Sequence, residues 1–122
     1  MTTGPNDILS RRLSDLRAAY AEHLPERVRA IEECAAALRA GDGEALRALY
    51  HQVHRLTGSA AVYGFPQLSH ASATLEERLL AAWQGETPAP ESASSLAPLV
   101  TTLKQELSAA LATLTPPRDG DR

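Results

Sequence analysis

The chain holds one cysteine, one methionine, one tryptophan and one phenylalanine in 122 residues, and aromatic residues make up only 4% of it. Cys34 therefore has no partner for an intramolecular disulfide, and no second thiolate exists for a zinc site. In its apolar, helix-periodic setting it reads as a small packed residue rather than a reactive thiol. With few aromatics and many Ala and Leu, the core has to be narrow, built from helices that approach closely over small residues. Positive charge is not in surplus either. Twelve basic residues face 15 acidic ones, a formal net charge of −3, so the global balance draws the chain neither to nucleic acid nor to an anionic membrane. No run approaches the ~20 apolar residues of a membrane span, and Met1 to Asp7 lacks the basic and apolar regions of a signal peptide. A cytoplasmic, free-standing protein is the expectation. What is present is 43% hydrophobic residues, enough for one core at a length that suits a single domain and not a multidomain enzyme.

Strand signals are missing as well: no stretch alternates apolar with polar residues or concentrates Val, Ile and Thr. Apolar residues recur at helical spacing instead. A first helix is expected from about Asp7 to Leu24, with Ile8, Leu9, Leu13, Leu16 and Tyr20 on one side. A second begins near Pro25, carries Val28, Ile31, Cys34, Ala35 and Leu38, and stops at Gly41. Gly41-Asp42-Gly43 forms a tight link in which Asp42 is placed to cap the third helix, from about Glu44 to Tyr63. Gly64 ends that helix, and Phe65-Pro66 opens a fourth, which carries Leu68, Ala71, Leu75, Leu79 and Ala82 down to Gly85. Glu86 to Ser92 reads as a Pro-rich loop. Ser94-Ser95, ahead of Pro98, mark the start of a last helix with Leu96, Leu99, Val100, Leu103, Leu107, Leu111 and Leu114 as its stripe. The expected fold is all-α: an antiparallel up-down-up-down four-helix bundle with an additional N-terminal helix. Residues 1–6 are expected to be a flexible start, 7–114 the bundle, and 115–122 a disordered tail.

The most informative deficit is local. From Ala45 through Leu75 the chain contains no carboxylate, although Arg47, His51, His54, Arg55 and His70 all fall there. At 100° per residue, Ala45, Leu46, Leu49, Val53, Leu56, Ala60 and Tyr63 form the inward face of the third helix, and His54 points the other way. Within about 60° of His54 lie Arg47, Tyr50, His51, Thr57, Gly58 and Ala61, a set that is basic, polar or very small. A glycine in mid-helix costs roughly 1 kcal/mol relative to Ala. Gly58 thus wants a reason: either close packing on another helix, or clearance for a second molecule to approach the imidazole. A basic-to-neutral zone around a histidine in an acidic protein suits a phosphate or an acidic partner.

His54-Arg55-Leu56-Thr57-Gly58-Ser59-Ala60, followed by Gly64, Leu68, Leu75 and Glu76, resembles the signature of histidine-containing phosphotransfer (HPt) domains. That pattern runs His-x-Leu-Lys-Gly-Ser-(Ala/Ser), three residues, Gly, three residues, Leu, six residues, Leu-Glu. The spacing fits without a gap, and the likeness extends over roughly residues 20 to 112. The resemblance implies that His54 is the phosphoacceptor, that Gly58 leaves room for the partner, that Ser59 is the small residue after it, and that Gly64 turns the chain between the two central helices. Leu56, Leu68 and Leu75 match core positions. Thr57 stands where the family usually has a lysine that helps to neutralise the phosphoryl group. Arg47 and Arg55, with Thr57, are the candidates to support the phosphate in its place. The docking surface is expected around His51, Thr57, Gly58, Ser59 and Ala61, with Gln67 and His70 on the fourth helix.

The function implied is that of a phosphocarrier in a two-component phosphorelay. His54 would accept a phosphoryl group from a receiver-domain aspartyl phosphate and pass it to another receiver, with a hybrid histidine kinase upstream. The chain would act as a monomer, not as an enzyme, without membrane insertion and without nucleic acid. It would need no cofactor or metal of its own, because Mg²⁺ and the acidic cluster belong to the receiver. The alternative is an HPt-like adaptor or inhibitor that binds a receiver or kinase without carrying phosphate, which Thr57 favours. His51 and His54 at i and i+3 are too few for a metal site. Hydrolytic chemistry has no carboxylate in the histidine's own segment to orient the ring.

Overall fold

The computed structural model describes the backbone of residues 5–85 and 89–114, and the side chains of 7–85 and 96–114. Among the described residues five helices follow one another: α1 (Pro5–Glu22), α2 (Leu24–Arg39), α3 (Ala45–Val62), α4 (Pro66–Trp83) and α5 (Ala89–Leu114). No strand occurs among the described residues. Pro25 and Pro66 sit in the first turns of α2 and α4, where a missing N–H is no loss. Gly41 and Gly64, at φ of 103° and 85°, make the reversals after α2 and α3 in a region of backbone space that side chains disfavour.

The helices α2 to α5 close a ring: α3 packs on α2 and α4, and α5 packs on α4 and α2. The centre of the ring is Leu24, Val28, Ile31, Leu49, Val53, Leu56, Leu68, Leu75, Leu79, Leu96 and Leu103, all essentially inaccessible to solvent. Aliphatic side chains at three- and four-residue steps give each helix one stripe, and the ring removes all four stripes from water together. No described helix is long and apolar enough to cross a membrane.

Several sequence expectations change. The stripe expected on the first helix is not buried: Ile8, Leu9, Leu13 and Leu16 are 48 to 60% exposed, and only Tyr20 and Ala21 at the end of α1 join the core. The helix begins at Pro5, so Pro5 and Asn6 are helical rather than part of a flexible start. The last helix begins at Ala89, well before Ser94, and holds Pro98 in its interior. Leu96, buried ahead of that proline, and Val100 and Leu103 after it anchor the segment to the ring, which offsets the lost hydrogen bond. The expected loop from Glu86 to Ser92 is therefore helical from residue 89, and its first three residues lie outside those described, as do residues 1–4 and 115–122. Asp42 does not cap α3; its Oδ1 accepts from Glu44 N at 3.1 Å within the preceding turn. Cys34 is half-buried against the core, with Gln52 Nε2 3.5 Å from its Sγ.

The end of α1 is fixed by polar and aromatic contacts. Tyr20 stacks on Tyr63 with ring centroids 4.4 Å apart, and its hydroxyl lies 2.6 Å from Ser59 Oγ. Arg17 donates from Nη2 to Gly64 O at 3.1 Å and lies over the Phe65 ring at 4.4 Å.

Candidate functional site

Helix α3 divides as its periodicity requires. Ala45, Leu49, Val53, Leu56 and Ala60 are buried on the inward face, Leu46 is half-buried, and Tyr63 is held at the rim by its stack on Tyr20. His54 lies on the outer side with 62% of its side chain exposed, and its Nδ1 is 2.6 Å from Glu76 Oε2 on α4. Glu76 is only 19% exposed. A carboxylate can only accept, so in the neutral imidazole the proton resides on Nδ1 and Nε2 keeps its lone pair. The arrangement fixes the ring by one nitrogen and leaves the other as a nucleophile or acceptor.

The carboxylate missing from the histidine's own segment is thus supplied by the neighbouring helix. Ser69, Ser72, Glu76 and Trp83 stand at steps of three, four and seven residues on α4, the face turned towards α3. Ser69 Oγ donates to Thr57 O at 2.8 Å, and Ser72 Oγ, wholly buried, donates to Val53 O at 3.0 Å. These bonds to carbonyls of α3 set the register that brings Glu76 opposite His54. Glu76 appears in the Leu-Glu end of the sequence motif, but its role was not legible there because it lies 22 residues beyond His54 and meets it only across the α3–α4 seam.

Towards the N-terminal end of α3 the imidazole is backed by rings. Tyr50 stacks on His54 with centroids 5.8 Å apart and planes 15° from parallel. Trp83 meets Tyr50 edge-on at 5.3 Å and His51 at 6.2 Å, and the Arg47 guanidinium lies over the indole at 5.8 Å. Sequence reading did not single out Trp83; its place one helix-face repeat after Glu76 is the signal that could have found it. Towards the C-terminal end the surface is bare. A Cβ built on Gly58 meets no atom within 4 Å, and Ala61 is exposed. Among the described residues, packing against another helix therefore does not account for Gly58.

The remaining expected site residues divide. Arg47, His51, Gly58 and Ala61 share the His54 side of α3. Arg55 instead lines a shallow groove with Arg27, Ala30 and Gln52 on the α2 side. Thr57 Oγ1 is turned into the α3–α4 seam, 3.0 Å from Val53 O and 2.9 Å from Ser72 Oγ, so it does not present a polar group beside the imidazole. Ser59 is half-buried beneath α1, bonded to Tyr20 and 3.4 Å from Arg27 Nη1. Gln67 borders an apolar groove of about 140 Å³ with Arg17, Pro66 and Ala110 at the α5 side of α4, opposite Glu76 on the helix. His70, exposed, lies about 120° around α4 from Glu76. Leu56, Leu68 and Leu75 are buried, as core positions should be.

Among the described residues, the helical ring holds the His54 imidazole exposed, bound at Nδ1 by Glu76 and open on the Gly58 flank. The model of the Hpt domain family matches residues 15–113, and the chain belongs to that family, whose members are phosphocarriers of two-component signalling that work with receiver domains and kinases. Neither the curated proteins nor the solved structures include a significant match.

Proposed function

We propose that this chain is the phosphocarrier of a phosphorelay, taking a phosphoryl group from the aspartyl phosphate of a receiver domain onto His54 Nε2 and passing it to another receiver. The observation that carries this reading is the pairing of Nδ1 with Glu76, which in the neutral imidazole leaves the Nε2 lone pair free on a side chain that is 62% exposed. In the transfer, the Nε2 lone pair forms the P–N bond as the P–O bond to the aspartate breaks, and the electron pair departs with the aspartate carboxylate. The phosphorylated ring keeps its Nδ1 proton and gains positive charge, which Glu76 faces directly. Phosphoryl transfer proceeds largely by positioning and charge neutralisation, so the chain's part is a rigid nucleophile, and Mg²⁺ comes with the receiver. Gly58 and Ala61 give the partner access. Arg47, on the His54 side of α3, is the cation that takes the place of the absent lysine, while Arg55 is committed to the α2 side. In this reading the chain is a cytoplasmic monomer in which α2 to α5 alternate up and down, with α1 added to the bundle.

The test is to incubate the protein with a panel of phosphorylated receiver domains and Mg²⁺, and to assay acid-labile, base-stable phosphate in wild type, His54→Gln and His51→Gln. Label lost only from the His54 variant is expected. Glu76→Ala should slow labelling by about 10- to 100-fold, the scale typical of removing a group that orients a functional imidazole. The in-turned hydroxyl of Thr57, which leaves no cation three residues after His54, favours a second reading as a non-phosphorylated adaptor. Binding of a receiver without uptake of label would select it.

A further inference from the structure

Trp83 is the chain's single tryptophan, and it is 42% exposed although three side chains hold it in place. Tyr50 and His51 meet it edge-on and Arg47 covers its face, so the indole is set in one orientation at the surface without being part of the core. A preset aromatic side chain loses little freedom when a partner covers it, and Trp, Tyr and Arg are the residue types that dominate binding at interface centres. The cluster is continuous with His54 through the Tyr50 ring. It lies on the flank of His54 opposite Gly58: Tyr50 and Arg47 precede the histidine by about 6 and 10 Å along α3, whereas Gly58 follows it by about 6 Å. No acidic residue occurs on α3, so the formal charge nearest the indole from that helix is the Arg47 guanidinium. That combination fits a partner presenting an anionic group beside an apolar rim.

We infer that Trp83, with Tyr50, His51 and Arg47, forms a docking anchor for the phosphorylated receiver domain, engaged while its aspartyl phosphate meets His54. This rests on the phosphocarrier reading and adds to it a second contact flank and the residue that sets partner affinity. Docking energy concentrated on Trp83 predicts a selective defect: the receiver is bound less well, but the intrinsic reactivity of His54 is retained.

Two measurements decide it. First, transfer to His54 is followed at increasing concentrations of a phosphorylated receiver for wild type, Trp83→Ala and Trp83→Phe, each checked by circular dichroism for native helicity. The half-saturating receiver concentration should rise about tenfold or more for Trp83→Ala and less for Trp83→Phe. Labelling of His54 by phosphoramidate, a donor too small to use a docking surface, should change less than about twofold. Second, with a receiver that lacks tryptophan, Trp83 emission should shift saturably on binding. Half-saturation within about twofold of wild type in Trp83→Ala, or an emission that does not respond to a receiver that transfers, overturns the anchor while leaving the phosphocarrier intact. Equal slowing with receiver and with phosphoramidate also overturns it, since Trp83 then acts by positioning the ring. If wild type takes label from no receiver, the phosphocarrier reading falls and the anchor falls with it.

Discussion

Helices α1 and α3 carry apolar stripes of nearly the same periodicity, and the structure treats them in opposite ways. Leu49, Val53, Leu56 and Ala60 of α3 are sealed in the ring, whereas Ile8, Leu9, Leu13 and Leu16 of α1 face solvent, and α1 is fastened through Arg17, Tyr20 and Ala21 towards its end. The comparison separates two properties that a hydrophobic pattern merges. Periodicity reports that a helix has an apolar side. Whether that side stabilises the fold depends on a facing surface, and α3 has two neighbours in the ring while α1 lies outside it. The candidate site obeys the same logic: His54 is accessible because its side of α3 faces Glu76 and open solvent rather than the core.

Substitutions can break or sharpen this contrast, each read by urea or thermal unfolding. Leu56→Ala should destabilise by about 2 to 5 kcal/mol, the range for truncating a fully buried leucine. Tyr20→Phe, which removes the hydroxyl bonded to Ser59 and leaves the stack on Tyr63, should cost about 1 kcal/mol and loosen α1 without disturbing α3. Gly58→Ala runs the other way: with open space around the new methyl group it should stabilise by roughly 0.5 to 1 kcal/mol while impeding transfer from a receiver. Leu13→Ala should stay within about 0.5 kcal/mol, as should His54→Gln, because neither side chain is buried. A loss of 2 kcal/mol or more at Leu13 would mean that α1 is covered in solution.

Much of the bundle was legible in advance. The boundaries of α3 and α4 follow from Gly64, Pro66 and regular leucine spacing, all local signals. The start of α5 differs, because Ser94-Ser95 ahead of Pro98 carry a local start signal, whereas packing of Leu96, Val100 and Leu103 carries the helix through the proline; its end at Leu114 is as expected. At the candidate site, one helix wheel places His54, Gly58 and Arg47 on one side of α3, and the structure keeps them there. Ser59 meets Tyr20 of α1, and Gln67 borders the groove between α4 and α5, contacts that a wheel of one helix does not show. Thr57, at the edge of that wheel, is captured by a buried serine from α4. In each case the deciding contact comes from another helix, at a sequence separation where helical periodicity carries no information.

By itself, the amino-acid sequence determined the helices, their apolar sides, the turns at Gly41 and Gly64, and a histidine on a polar side in a stretch without carboxylates, because all of these depend on residues within a few turns of one another. Tertiary structure alone decided that the α1 stripe stays exposed, that Glu76 takes Nδ1 of His54, and that Trp83 closes on Tyr50, His51 and Arg47. Those outcomes depend on the register between packed helices, set by buried volume and by the serine bonds from α4 to the carbonyls of α3.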